Sequence, residues 1–198
     1  MGQLHVLIDN GHGWDTIGKQ SPDGRLREYS YTRKVARILC DKLKAQGYPC
    51  TLITPEDNDI RLSERVNRVN NICKDDNCIL VSIHCDAQND KGKWGPAKGF
   101  SVWTYTKCSE NSKKLARCFV DTVQSCDLAV RKYNNDIMPF WPANLKILKE
   151  TNCPAVLTEN FFQDNQDDVE WLLANAETVA DYHLAAIQQY EALIQKCV

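Results

Sequence analysis

Three apolar runs in this chain each stop at an ionisable residue. Val6-Leu7-Ile8 leads through Asp9, Asn10 and Gly11 to His12; Cys78-Ile79-Leu80-Val81-Ser82-Ile83 ends at His84; Pro154-Ala155-Val156-Leu157-Thr158 ends at Glu159. Short runs that are apolar on both faces read as strands buried from both sides, the pattern of a parallel sheet. An unpaired charge at the end of such a strand is expensive, so an imidazole or carboxylate there calls for a reason. Glu28 joins the set, standing just before the helical pattern Tyr29 to Gln46. Three strand ends and one helix start fit the crevice at the carboxyl edge of a parallel sheet. Alone, a loop histidine reads as a surface residue; the glycines on both sides of His12 let the backbone turn tightly and approach a ligand. Two histidines and a carboxylate that leave a fourth position open form a catalytic zinc set, and a further carboxylate serves as the base.

A chain of 198 residues suits one domain with a substantial core of its own. The sequence predicts a single three-layer α/β domain over residues 1–198, with a central mixed or mostly parallel sheet and helices on both faces. Its 24 basic and 26 acidic residues leave a formal charge of -2, which argues against a general nucleic-acid binder. No run reaches the length of a membrane span, so no integral membrane association is expected. Met1 to His5 lead straight into a strand without the basic, apolar and small-residue segments of a secretory signal. The expectation is a protein made in the cytoplasm that acts outside it after lysis or by signal-independent export. Ten cysteines at scattered spacings read as reduced thiols rather than a disulfide scaffold. Among them, Cys40, Cys73, Cys118 and Cys126 fall within helical patterns as small core residues. No internal repeat or low-complexity linker announces an additional module, and the oligomeric state is left open.

Along the chain, Leu4 to Ile8 reads as the first strand, with His5 at the end opposite His12 and structural. Tyr31, Val35, Ile38, Leu39 and Leu43 form the stripe of a helix that Gly47 closes. Cys50 to Thr54 is a second strand, and Asp57-Asn58-Asp59 is expected to cap a helix with the stripe Leu62, Val66, Val69 and Cys73. Arg65 and Asn70 lie off the centre of that stripe and read as a salt bridge and a helix-rim hydrogen bond. Cys85 should face away from His84 if the strand continues. Asp86 either accepts the second ring hydrogen of a ligand histidine or fixes its loop, the loop role being preferred. Asn89 to Lys98, with Trp94, reads as a substrate-side loop or a hydrated connector. Gly99 to Thr106 alternates as a strand, and a helix with Leu115, Phe119 and Val123 on its core side follows. Arg131 to Asn144 has no clean period; with Tyr133, Met138, Phe140 and Trp141 it is an irregular cover or an aromatic wall for a substrate. Leu145 to Leu148 and Ala155 to Thr158 read as the last strands. Two helices close the chain, and His183 falls on the buried side of the second.

The order and spacing of Asp9-Asn10-Gly11-His12-Gly13, Glu28, Leu62-Ser63-Glu64-Arg65 with Asn70, Ser82-Ile83-His84-Cys85-Asp86, Gly99-Phe100, and Pro154 to Glu159 followed by Phe162 and Asn165 resemble the zinc-dependent N-acetylmuramoyl-L-alanine amidases. The resemblance runs from about residue 4 to about residue 190. It implies a phosphorylase/hydrolase-like fold, Zn2+ as cofactor, His12, Glu28 and His84 as its ligands, and Glu159 as the catalytic glutamate. The implied substrate is peptidoglycan or a muramoyl peptide, cut between the lactyl group of muramic acid and L-alanine. It further implies that Arg65 and Asn70 brace active-site loops. Asn10 stands where the family usually has proline, and Phe161 where it often has glycine; the latter is expected to reshape the wall beside Glu159 and alter substrate preference. The competing readings are a zinc peptidase or deacylase acting on another small amide, and a peptidoglycan-binding protein that has lost catalysis.

Overall fold

The strands that end in ionisable residues lie side by side in the middle of one sheet. The computed structural model describes residues 3–74, 76–89, 92–134 and 137–196. In chain order the strands are β1 (His5–Asn10), β2 (Cys50–Leu52), β3 (Cys78–Asp86), β4 (Ser101–Tyr105), β5 (Trp141–Ala143) and β6 (Ala155–Phe162). The helices are α1 (Glu28–Ala45), α2 (Leu62–Ile72), α3 (Glu110–Ser125), α4 (Lys146–Lys149), α5 (Gln166–Ala174) and α6 (Ala176–Gln195). The sheet order is β2-β1-β3-β6-β4-β5, parallel throughout except where β4 meets β6. The expected mixed, mostly parallel sheet is therefore what forms, with β4 and β5 reversed against the other four strands.

Alternation along the strands divides the core in two. Val6, Ile8, Ile79, Val81, Ile83 and Val156 point into the larger half, with the buried sides of α1, α3 and α6. Leu7, Leu80 and Leu157 point into the smaller half, with Val66 and Val69 of α2 and Ile147 and Leu148 of α4. Each such fully buried aliphatic side chain contributes roughly 1.5–3 kcal/mol, and this two-sided burial is what makes the central strands legible as unbroken apolar runs. Helix α1 ends as its sequence predicts. Gly47 takes φ +87, and the N–H groups of Gly47 and Tyr48 donate to the carbonyls of Lys44 and Leu43, the paired closure that a left-handed residue allows.

Several expectations are corrected. Leu145 to Leu148 is not a strand: α4 forms there, because Ile147 and Leu148 can both reach the smaller core from one helical turn while Lys146 and Glu150 pair outside it at 2.6 Å. The extra strand is β5 instead, inside the segment without a period; Pro142 is tolerated because β5 is an edge. The Asp57-Asn58-Asp59 segment does not cap α2, whose N-cap is Arg61 without a side-chain bond. Leu62 is 48% exposed and no core residue. Cys73 and Cys126 stand just past the ends of α2 and α3, and Cys126 is exposed. All nine described cysteines are free thiols, Cys40 and Cys118 buried within their helices as expected. Residues 90 and 91 of the Asn89 to Lys98 loop, and 135 and 136 of the Arg131 to Asn144 segment, lie outside the described residues. Among the described residues, no helix is long and apolar enough to cross a membrane.

Candidate active site

Strand β1 runs into Gly11, whose N–H donates to the Ile83 carbonyl of β3, and the chain then turns through His12 at φ 59. That left-handed conformation costs a non-glycine residue about 1–2 kcal/mol. The flanking glycines contribute space rather than φ. A Cβ on Gly11 would stand 2.5 Å from His84 Nδ1, and one on Gly13 would stand 1.9 Å from the backbone nitrogen of Asp59. A buried network holds this turn from below. Arg65 donates from Nη1 to Asp9 Oδ1 at 2.9 Å and to the Asn10 carbonyl at 2.8 Å, and from Nη2 to Asp59 Oδ1 at 2.7 Å. Ser82 Oγ donates to the other Asp9 oxygen at 2.6 Å. Asp59 in turn accepts from Thr16, whose hydroxyl accepts from Gly13 N–H. The acidic segment read as a helix cap is thus a prop for the histidine turn.

Glu28, at the first position of α1, reaches across the carboxyl edge of the sheet. Its Oε1 lies 3.1 Å from His84 Nδ1 and 3.4 Å from His12 Nε2. The two rings stand edge to face with centroids 5.3 Å apart. One donor atom from each of His12, Glu28 and His84 falls within 4.8 Å of the others. Oε1 also accepts from the Cys85 backbone N–H at 3.2 Å, and Oε2 accepts from Gln163 Nε2 at 3.0 Å. Burial would push the Glu28 carboxyl up, but hydrogen bonding to His84 and the nearby charges of His84, His12 and Lys19 outweigh it and hold the group below the usual carboxylate value. Burial lowers His12 to about 4 despite the pull of Glu28, so its imidazole is neutral near pH 7, the form that binds metal.

Glu159 is the register partner of His84 on the adjacent strand and projects to the same face. Its Oε2 is buried and has no hydrogen-bond partner among the described residues. Burial, with Glu28 and Asp86 nearby, pushes its carboxyl well above the ordinary value. After this pair the strands fall out of step: His84 pairs with Glu159, but Asp86 pairs with Phe162. The additional β6 residue is absorbed by a bulge in which Phe161 takes φ 63. This explains why glycine suits the position, and it corrects the expectation for Phe161. Its ring is buried on the opposite face, 4.7 Å from that of Trp171, and adds nothing to the wall beside Glu159.

His12 and His84 open onto a cleft of about 490 Å³ that Asp9 and Arg65 also line, with Leu62 and Leu145 at its mouth; Glu28 and Glu159 are not part of that lining. A larger hollow of about 660 Å³ between α3 and α6, lined by Lys113, Phe140 and Leu193 among others, holds none of them. Chemistry rather than size selects the smaller one. The supporting residues read from the sequence divide. Arg65 braces the histidine turn, but Asn70 does not: it pins the turn before β6, at the far edge, through the Glu150 carbonyl and Asn152 N–H, both at 2.8 Å. Asp86 has the loop role, accepting from Ala87 N–H at 2.8 Å and Arg131 Nη1 at 2.9 Å. Cys85 faces the opposite core, as expected. His183 is buried and packs, with Nε2 3.0 Å from Thr158 Oγ1 and Nδ1 2.7 Å from the Val179 carbonyl. Trp94 and Trp141 stay out of the cleft lining. Trp141 stacks on Trp103 with centroids 5.3 Å apart, and Tyr133 meets it edge-on. Trp103 pairs in register with Leu157, on the face that carries Glu159. Sequence reasoning missed Gln163 and Arg131; both act through tertiary contacts that no local pattern announces.

A family model described as N-acetylmuramoyl-L-alanine amidase, Amidase_3, matches residues 6–189. An endolysin of Bacillus phage SPP1 is 26% identical over 197 residues, covering 96% of this chain and 67% of that protein. The N-acetylmuramoyl-L-alanine amidase CwlM of Bacillus licheniformis is 30% identical over 175 residues, covering 87% and 62%. The chain thus spans about half to two thirds of the curated relatives it matches. Among solved structures, an N-acetylmuramoyl-L-alanine amidase from Clostridium difficile 630 superposes with a TM-score of 0.83 at 25% identity, covering 96% of this chain and 97% of that one. The catalytic domain of CwlV from Bacillus (Paenibacillus) polymyxa var. colistinus has the same fold, with a TM-score of 0.80 at 21% identity over 96% and 99%.

Proposed function

The chain belongs to the Amidase_3 family of N-acetylmuramoyl-L-alanine amidases, and from that premise we propose that it hydrolyses the amide between the lactyl group of muramic acid and L-alanine in peptidoglycan. The observation that carries the reading is the convergence of His12, Glu28 and His84 beside Glu159 at one sheet edge. The donor set fits zinc: two imidazole nitrogens and one carboxylate oxygen, with the second Glu28 oxygen occupied by Gln163. When bound by these three residues, zinc supplies Lewis-acid polarisation of an amide carbonyl and a more acidic water.

The rest of the chemistry belongs to the chain. Glu159, on the same sheet face as His84 and with one oxygen unpartnered among the described residues, is placed to take a proton as a carboxylate and to return it. It takes a proton from the attacking water as the water oxygen bonds to the carbonyl carbon. It then delivers that proton to the L-alanine nitrogen as the C–N bond breaks. The Arg65–Asp9–Ser82 network keeps the His12 turn in register with β3 while this happens. Trp103 on β4, one strand beyond Glu159, offers with Trp141 of β5 and Tyr133 a stacking surface for a sugar ring. Digestion of purified peptidoglycan followed by mass identification of the released ends tests the reading. Free L-alanine amino termini paired with free muramic carboxyls are expected; new ends within the peptide or glycan instead would overturn it.

A further inference from the structure

We propose that the chain has a second metal site at the opposite edge of the sheet, formed by His5, Asp76, Cys78 and Cys73 and suited to a borderline-soft divalent cation such as zinc. His5 opens β1 and Cys78 opens β3. They are register partners on adjacent strands, fixed by a 2.8 Å hydrogen bond from His5 N–H to the Asn77 carbonyl. Nδ1 of His5, a carboxylate oxygen of Asp76 and Sγ of Cys78 lie within 4.8 Å of one another, so a small contraction brings all three onto one ion. The Cys73 thiol, just past the end of α2, interacts with the Cys78 and Cys153 thiols and lies outside that 4.8 Å group; a side-chain rotation would bring it in as a fourth donor from a different element. The second ring nitrogen of His5 is 2.9 Å from Thr51 Oγ1, the kind of orienting contact that ligand histidines commonly keep.

An ordinary surface ion pair accounts for His5 and Asp76, which approach to 2.8 Å. It does not account for a buried thiol in the same sphere. Imidazole, carboxylate and two sulfurs are a zinc-type set, whereas calcium and magnesium prefer oxygen alone. A free cysteine thiol keeps most of its proton near neutrality. Binding forms two sulfur–metal bonds and releases the two thiol protons to solvent, and occupancy falls as pH drops. The site would clip the α2–β3 connection to the lower edge of the sheet.

The site is independent of the amidase reading, and its signature is different, because His12, Glu28 and His84 contain no sulfur. Metal-stripped full-length protein titrated with cobalt(II) should develop thiolate-to-cobalt charge-transfer absorption that saturates at about one equivalent, within a total of about two metal ions per chain. Cys78→Ser should abolish that absorption, lower the total by about one ion and retain wall hydrolysis; His12→Ala should keep the absorption. The wild-type titration reads the site without requiring any variant to fold. No thiolate absorption in the wild type, its survival in Cys78→Ser, or recovery of Cys73 in a disulfide with Cys78 or Cys153 would each overturn the proposal.

Discussion

Glu28 and Glu159 are the same residue type at one edge of the sheet, each feeling the other's charge, and their surroundings give them opposite character. Glu28 faces two imidazoles and an amide donor and is held as a carboxylate; Glu159 has a buried oxygen without a partner among the described residues, and burial raises its carboxyl, which makes it the readier of the two to hold a proton. Glu28→Gln should therefore weaken zinc binding. Glu159→Gln should keep the metal and lose ~10²- to 10⁴-fold in turnover, or about 3–5 kcal/mol of barrier. Zinc stoichiometry and hydrolysis of a muramoyl peptide, measured side by side, check the assignment; near-full activity in Glu159→Gln would refute it. Phe161 poses a question of magnitudes. Glycine would relieve about 1–2 kcal/mol of left-handed backbone cost, but removing a buried ring costs about 3–5 kcal/mol. Packing wins, so Phe161→Gly is expected to lower stability in urea unfolding. A rise would mean that the bulge, not the ring, dominates. Nothing in the sequence at Phe161 announces that tension, because the left-handed φ arises only from the loss of step between β3 and β6.

At the scale of elements, the His12 turn and the β3 end are built against each other. Gly11→Ala places a methyl carbon 2.5 Å from the His84 ring, and the ring must move. We expect metal affinity to fall about 10- to 100-fold, as when an outer contact of a ligand is lost, with little change in helical content. Chelator competition and circular dichroism measure the two effects, and unchanged affinity would show that the turn has slack. The same elements show what the sequence could express. Strands β1, β3 and β6 are legible because burial from both sides demands unbroken apolar runs, and their ionisable ends are legible because such endings are costly. Helix α4 was hidden: four residues with two adjacent apolar positions carry no period, and only the smaller core decides between strand and turn. Strand β5 was hidden by Pro142, which an edge strand permits. The Asp59 carboxylate went to Arg65 rather than to a helix terminus, a tertiary choice that local propensity cannot anticipate.

Across the whole molecule, the two-sided core joins function to stability through a histidine remote from the chemistry. Burial holds His183, beneath β6, down at about 4 against an ordinary 6.5. Its folded pKa lies below its unfolded one, so the unfolded chain takes up a proton that the folded chain refuses. Stability from this group is complete above about 6.5, declines as pH falls through that window and levels off below about 4. The total is at most about 3 kcal/mol, and His12 changes in the same direction. Urea unfolding of metal-free protein between those pH values should show a shallower dependence in His183→Gln than in the wild type. Equal slopes would remove His183 from the account.

The reversal of β4 and β5 against their neighbours has a practical side. Because these two strands run backward, both begin at the catalytic edge, where the described parts of the connections that lead into them, residues 92–100 and 126–134, meet each other through Phe100 and Val130. They amount to exchangeable cassettes: grafting the corresponding stretches from a relative with different wall preference should transfer that preference and leave zinc content at the His12 site unchanged. Loss of metal in such chimaeras would show that recognition and catalysis in this enzyme are not separable parts.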